Sequence, residues 1–395
     1  MTPFADLHDL GRIFGASNRE ARVALTTPDF SDATMAADDA AGSAAALRAR
    51  LLSAKRAFST RRADLSLACG LSKQFAPNAG DLILASVASV GHHTRLETVH
   101  GRRAQLYTGD EIIVAYGARY APDQFDAIIP NSVGPCDLAA GGGIAAEVVQ
   151  RHARTRQPTR IEPKGILVDV AGRALNLRQF SLPTLSAQEK KCVVVAVVGT
   201  SMNAGKTTAV TQLIRGLSRS GMRVGACKVT GTGSGGDLWS MMDAGAAHAL
   251  DFTDVGFSTT AGCDIEEVEA GAHQILAHLE SLGVDIVVME IADGLLQRET
   301  AALLSAPSRL PARLDAVVLA AADAMGATAG ADWLAQRRLP LRAVSGLVTA
   351  SPLAAHEAST QCGVDIVSTF DLAEPQWAAR VALAPAITSK QAAFV

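Results

Sequence analysis

The run Gly199-Thr200-Ser201-Met202-Asn203-Ala204-Gly205-Lys206-Thr207-Thr208 combines small residues, hydroxyls and one lysine between two contrasting patterns. Val193 to Val198 before it are uniformly apolar, as in a strand buried on both faces. After it, Val210, Leu213, Ile214 and Leu217 recur at i, i+3, i+4 and i+7, and Gly221 ends that pattern. Strand, tight loop and helix in this order are what a phosphate-binding loop requires. Backbone N–H groups of the loop and of the helix N-terminus converge on an anion, and the helix dipole favours negative charge there. Thr200, Ser201, Met202, Asn203, Ala204, Gly205, Lys206, Thr207 and Thr208 are therefore the expected nucleotide contacts. Lys206 would reach the terminal phosphates, and the Thr207 hydroxyl would face Mg²⁺. Five residues separate Gly199 from Gly205, one more than in the strict pattern, so Thr200 takes the usual first-glycine place.

Other chemistry-bearing residues follow apolar runs. Lys228 closes one such run and is followed by Thr230, Ser234 and Asp237 in a Gly/Thr/Ser-rich stretch, which suits an anionic substrate beside a γ-phosphate. Glu290 ends Val287-Val288-Met289, where a carboxylate is costly without a cation. It is the expected Walker B-type ligand, with Asp293 as backup. Asp243 is the expected third metal contact beside Thr207 and Glu290, and Asp251 and Asp254 are within reach of the same role. Lys206, Lys228 and Glu290 are the expected catalytic set, and Thr230, Ser234, Asp237 and Asp293 the expected substrate contacts. Thr349-Ala350-Ser351 is a weak nucleobase signal. His92, His93, His100 and His152 match no metal spacing. Gly141 to Gly143 read equally as an anion loop or a tight turn, and Arg119, Tyr120 and Asp123 read as surface contacts.

The elements that must position these residues fall into two patterns. From residue 192 to 395, strands and helices alternate. The expected strands are Cys192–Val198, Arg223–Lys228, Asp285–Ile291, Asp315–Ala320, Ala343–Val348 and Asp365–Thr369. Such alternation means a mostly parallel sheet with helices on both faces and a ligand at the carboxyl ends of the strands. From 61 to 183, short runs at Leu82–Val87, Thr94–Val99, Ala104–Tyr107, Glu111–Tyr116 and Lys164–Val170 lie between glycine turns, the pattern of a small antiparallel barrel or sandwich. A helix is expected over Ile144–Ala153. Residues 1–60 read as a flexible or helical leader, with a polar helix over Asp38–Leu52, and 184–191 as a linker. The fold class is thus α/β, a smaller β-rich domain preceding a phosphate-binding α/β domain.

Composition narrows the function. A net charge of −3 over 395 residues gives no electrostatic reason to expect nucleic acid. No run of 18 apolar residues exists to cross a membrane. The acidic N-terminus lacks the basic start of a signal peptide. Six scattered cysteines form no C-x-x-C pair and read as buried free thiols of a cytoplasmic protein.

The C-terminal half resembles the dethiobiotin synthase-like branch of P-loop proteins, which also holds cobyrinic acid amidase-type synthetases and molybdenum-cofactor nucleotide-binding proteins. The resemblance rests on Gly199-Thr200 through Gly205-Lys206-Thr207, on Lys228 to Ser234, on Asp243-Ala244 and, in part, on Glu290-Ile291-Ala292-Asp293-Gly294. It covers 192 to about 370 and leaves residues 1–190 without a family. It implies Mg²⁺ and ATP, or another nucleoside triphosphate, as cofactors. It also implies an enzyme that phosphorylates a carboxylate or carbamate of a small molecule for amide or ring formation. Two alternatives share the fold. One is a nucleotide-dependent switch or a cofactor or metal chaperone. The other is a CoA-dependent N-acyltransferase, as in the D-glutamate N-acetyltransferases, whose loop resembles this one. The expected partner is a small-molecule substrate, without nucleic acid or membrane; pairing of two copies as a homodimer is left open.

Overall fold

The computed structural model describes residues 44–185 and 192–383. Seven parallel strands form one sheet, in the order His248–Asp251, Val224–Lys228, Ile286–Glu290, Val193–Gly199, Ala316–Ala320, Leu341–Ser345, Asp365–Ile366. Six match the expected strands. The seventh, His248–Asp251, is an edge strand too short and too polar to stand out in the chain.

The sequence of the central strand explains the layering. Successive side chains of a strand point to opposite faces. Val194, Ala196 and Val198 enter one core with Ile275, Leu276 and Leu334. Val195 and Val197 enter the other with Val210, Leu213, Ile214 and Leu217. A strand buried on both sides needs apolar residues at every position, and 193–198 supplies them. The helix Lys206–Arg219 covers the second face, with all four of its expected apolar positions fully buried.

The N-terminal part is a closed barrel. Glu111–Tyr116, Leu82–Ser89, Thr159–Val168, Cys136–Ala140 and Ile144–Arg151 pair in sequence, and the last returns to pair with the first. Neighbours are antiparallel except at this closure, which is parallel. Alternate residues, among them Ile83, Ala85, Ile112, Val114 and Leu138, fill the interior. The outward set, Leu82, Leu84, Ile113 and Ala115, packs with Leu47 and Leu51 of a helix ending at residue 53. Burying those two leucines stabilises the barrel by about 1.5–3 kcal/mol each. Residues 44–60, read above as part of a leader, therefore belong to the packed barrel. The remainder of that leader, 1–43, lies outside the described residues, as do 186–191 of the linker and 384–395.

The helix expected over Ile144–Ala153 is a strand, Ile144–Arg151. Its Ala, Glu and Gln favour a helix in isolation, but pairing with Cys136–Ala140, Phe125–Ile128 and Glu111–Tyr116 overrides that preference. The Gly141–Gly143 run is the turn into it. A side chain at Gly142 would meet the carbonyl oxygen of Gly233 at 1.8 Å, so this turn is where the barrel seats on the loop after Lys228.

Other contacts tie the two parts into one unit. Arg61 is mostly buried and pairs with Asp254 at 2.7 Å and Asp251 at 3.2 Å. Burial alone would lower its pKa, but the two carboxylates raise it. Asp251 and Asp254, within reach of metal on sequence grounds, serve this junction instead. The Ser258 hydroxyl donates to the Tyr116 carbonyl at 2.9 Å. The Leu182 N–H donates to the Asp254 carbonyl, and Gln274 donates to the Leu182 carbonyl, so the chain is anchored just before the expected linker.

Candidate functional site

The loop leaves the sheet after Thr200, whose N–H still bonds the Ala320 carbonyl at 2.9 Å. Asn203 (φ 64°) and Gly205 (φ 100°) make the turns that bring the chain back to the helix. Gly205 has a second reason to be glycine: a Cβ there would lie 3.0 Å from the Gly346 backbone. Lys206 is buried, and its ammonium curls over the loop to donate to the Ser201 carbonyl at 3.0 Å. Burial lowers its pKa, against the pull of Glu290 and Asp293. Thr207 faces the carboxyl edge of the sheet, whereas Thr208 is exposed.

Beside Thr207 lies a compact charged cluster. Its hydroxyl is 3.2 Å from Asp237 Oδ1 and 3.3 Å from Glu290 Oε1. Lys228 binds both carboxylates, donating to Asp237 and lying 3.3 Å from Glu290. Desolvation would lower the Lys228 pKa, but these two neighbours raise it well above the lysine range. Asp237 is held below the ordinary carboxylate range against its burial, chiefly by Lys228. Glu290 goes the other way: burial pushes it up, and Lys228 only partly compensates. Its second oxygen is buried with no hydrogen-bond partner. One ammonium thus serves two carboxylates, and an oxygen is left over beside a threonine hydroxyl at the end of the phosphate loop. That donor set fits a hard divalent cation, which takes oxygen ligands and is completed by phosphates and water.

The expected sites divide accordingly. The structure brings together Lys206, Thr207, Lys228, Asp237 and Glu290. It does not bring Asp243. Asp243 is exposed at the last turn of the helix Gly236–Asp243, roughly 9 Å along the axis from Asp237 at 1.5 Å per residue. Asp237, expected only as a substrate contact, occupies the place beside Thr207. Thr230 is buried and clamps the Ala292 backbone, accepting from its N–H at 2.8 Å and donating to its carbonyl at 2.6 Å. It therefore shapes the chain leading to Asp293 instead of facing open space. Ser234 donates to Glu97 of the barrel at 2.8 Å. Asp293 lines the space on both sides of the loop, and its pKa is raised by burial. Thr349 bonds the Gly346 carbonyl at 2.8 Å, in the turn that abuts Gly205.

Arg119 was not legible as a site residue. It is buried, and the segment carrying it meets the phosphate loop through Asp123, which accepts from Asn203 at 2.9 Å. The two-residue strand Arg119–Tyr120 gives no periodic signal that would mark an inward-facing arginine.

This geometry defines a P-loop nucleotide-binding domain with a mostly parallel sheet. The family comparison agrees with that class. Residues 194–294 match the family model of molybdopterin guanine dinucleotide synthesis protein B, a stretch that contains the loop, Lys228, Asp237, Glu290 and Asp293. Among solved structures, the chain is similar to the signal recognition particle 54 kDa protein from Aeropyrum pernix K1 in complex with GDP. The identity is 22% and the TM-score 0.32, over 50% of this chain and 47% of that one. It is also similar to the signal recognition particle receptor FtsY from Elizabethkingia anophelis in complex with GDP, at 16% identity and TM-score 0.32, over 51% and 66%. The chain thus spans less than half of the first structure's length. No curated protein matches it. Among the described residues, no helix is long and apolar enough to cross a membrane.

Proposed function

We propose that this chain is a Mg²⁺-dependent nucleoside triphosphatase whose turnover serves the handling of a small-molecule cofactor. The observation that carries the nucleotide chemistry is Glu290: a fully buried carboxylate beside Thr207, sharing Lys228 with Asp237 and left with one oxygen unpartnered. Thr207, Asp237 and Glu290 would hold the cation, which when bound neutralises charge on the β- and γ-phosphates. The loop N–H groups cradle the phosphates, and Lys206 swings from the Ser201 carbonyl onto them. Lys228 keeps the two carboxylates in place rather than meeting substrate first. Asp293, at the rim of the loop, is placed to orient the attacking group.

The cofactor-handling part rests on the matched model, whose name refers to molybdopterin guanine dinucleotide synthesis. The test is phosphate release from Mg·ATP, Mg·GTP and Mg·CTP, each with and without molybdopterin and with EDTA as control. Stimulation of one nucleotide by the pterin supports the reading; turnover indifferent to it removes the cofactor-handling part.

A second reading is phosphoryl transfer to a carboxylate or carbamate. The cavity that opens beside Lys228 and Asp293 favours it. It requires nucleotide consumption to depend strictly on an organic acid. The CoA-dependent alternative requires acetyl-CoA binding without Mg²⁺, and gives no role to the unpartnered oxygen of Glu290.

A further inference from the structure

A cavity of about 520 Å³ lies between the barrel and the carboxyl edge of the parallel sheet. That is ample for a small organic ligand. Lys228, Asp237 and Asp293 form part of its sheet-side wall, so it adjoins the charged cluster of the phosphate loop. The barrel contributes Arg95, Arg103 and Arg119.

Arg119 is the informative group. Its side chain is 7% exposed. One terminal nitrogen donates to Gln124 Oε1 at 2.9 Å. The other donates to the Ala139 carbonyl and lies 3.3 Å from His93 Nε2. Its Nε is buried with no partner. Every acceptor is neutral, and among the described residues no carboxylate forms an ion pair with it. Burial pulls its pKa down to about 10, with Asp123 and Asp293 acting only at longer range. The guanidinium is thus oriented but not neutralised, which is costly unless an anion arrives. Arg95 and Arg103 sit at the mouth and are exposed. The ribbon of Arg95–Glu97 and Arg103–Gln105 pairs Arg95 with Gln105 and Glu97 with Arg103, placing both arginines on one face. Glu97, cross-strand from Arg103 on that face, also lines the cavity and accepts from the Ser234 hydroxyl.

Building on the P-loop reading, we propose that this cavity is the site of a second ligand, a small molecule with an acidic group. Its oxyanion, carboxylate or phosphate, binds Arg119 with Arg95 and Arg103 closing the mouth. Asp237 and Asp293 would repel a second anion, so the end of the ligand facing the nucleotide is uncharged or cationic.

The experiment uses the full chain saturated with Mg²⁺ and a non-hydrolysable nucleoside triphosphate analogue, which occupies the phosphate loop. Calorimetric titration with inorganic phosphate in one arm and butyrate, a single carboxylate with an uncharged tail, in the other reads the second site. The expected result is one saturable equivalent in at least one arm, which also tells phosphate from carboxylate chemistry. Arg95→Gln and Arg103→Gln, at exposed positions that leave the fold intact, each weaken it about tenfold, the loss of one charge-assisted hydrogen bond. Arg119→Lys weakens it at least as much. Two silent arms with the analogue bound overturn the proposal and leave the P-loop reading standing, as does binding indifferent to all three substitutions. Failure of the analogue to bind overturns both.

Discussion

Replacing Glu290 by glutamine separates the two roles a buried carboxylate can have. Its shape stays, its charge goes. Lys228 keeps Asp237 as a partner, so the full penalty of about 3–5 kcal/mol for orphaning a buried charge is not incurred and the fold holds. Without metal, the native carboxylate repels a terminal phosphate. At a separation of about 6 Å and an effective dielectric of about 20, that repulsion is roughly 3 kcal/mol per unit charge. In EDTA the variant therefore binds nucleotide as well as the native protein, or more tightly. With Mg²⁺ the sign reverses, because the carboxylate now holds a cation against the phosphates. Loss of one fixed electrostatic group at a reacting centre costs about 100- to 1,000-fold in turnover, near 3–4 kcal/mol. The assay is binding of a fluorescent nucleotide in Mg²⁺ and in EDTA, alongside steady-state phosphate release. Equal weakening under both conditions would refute the reasoning and make Glu290 a packing residue.

Three further outcomes are expected. Asp237→Asn lowers Mg²⁺-dependent turnover at least tenfold, whereas Asp243→Asn, exposed at the far end of the same helix, leaves it within twofold; paired kinetics of the two variants check the assignment. Arg61→Met leaves buried Asp251 without its cation and Asp254 with only Arg62 at 3.5 Å, and costs about 3 kcal/mol, read as a fall in the thermal or urea midpoint. His93 is kept neutral by burial and by the Arg119 charge, its pKa lowered to about 3. Between about pH 6.5 and 3 the unfolded chain takes a proton that the folded one refuses, so stability falls with acidification, by at most about 1.4 kcal/mol per pH unit. His93→Gln flattens that slope; an unchanged urea-midpoint profile from pH 7 to 4.5 would show that His93 is not responsible.

The parallel sheet was readable because its central strands are buried on both faces and must be apolar throughout, which leaves a contiguous signature at 193–198 and 286–289. The phosphate loop was readable because its chemistry depends on local spacing. The barrel was less so. Ile144–Arg151 has helix-forming residues, and only its pairing partners, distant in sequence, make it a strand. The same limit applies to the site. Asp237 and Asp243 lie on one helix, and only the fold shows which end meets Thr207. Arg119 reads as a surface residue because its two-residue strand has no period, and the fold buries it beside Gln124, His93 and the Ala139 carbonyl, two of them distant in sequence.

The central claim is that residues 199–208 hold a nucleoside triphosphate for turnover. The most direct measurement is phosphate release at saturating Mg·nucleotide by the native chain and by Lys206→Ala. Alanine is the best helix former, so the first turn of Lys206–Arg219 should persist, which circular dichroism verifies. Mg²⁺-dependent release by the native protein and a loss of about 100-fold or more in the folded variant are expected. A folded variant with native turnover, or a native protein that releases no phosphate from any nucleoside triphosphate with or without a second ligand, would contradict the claim.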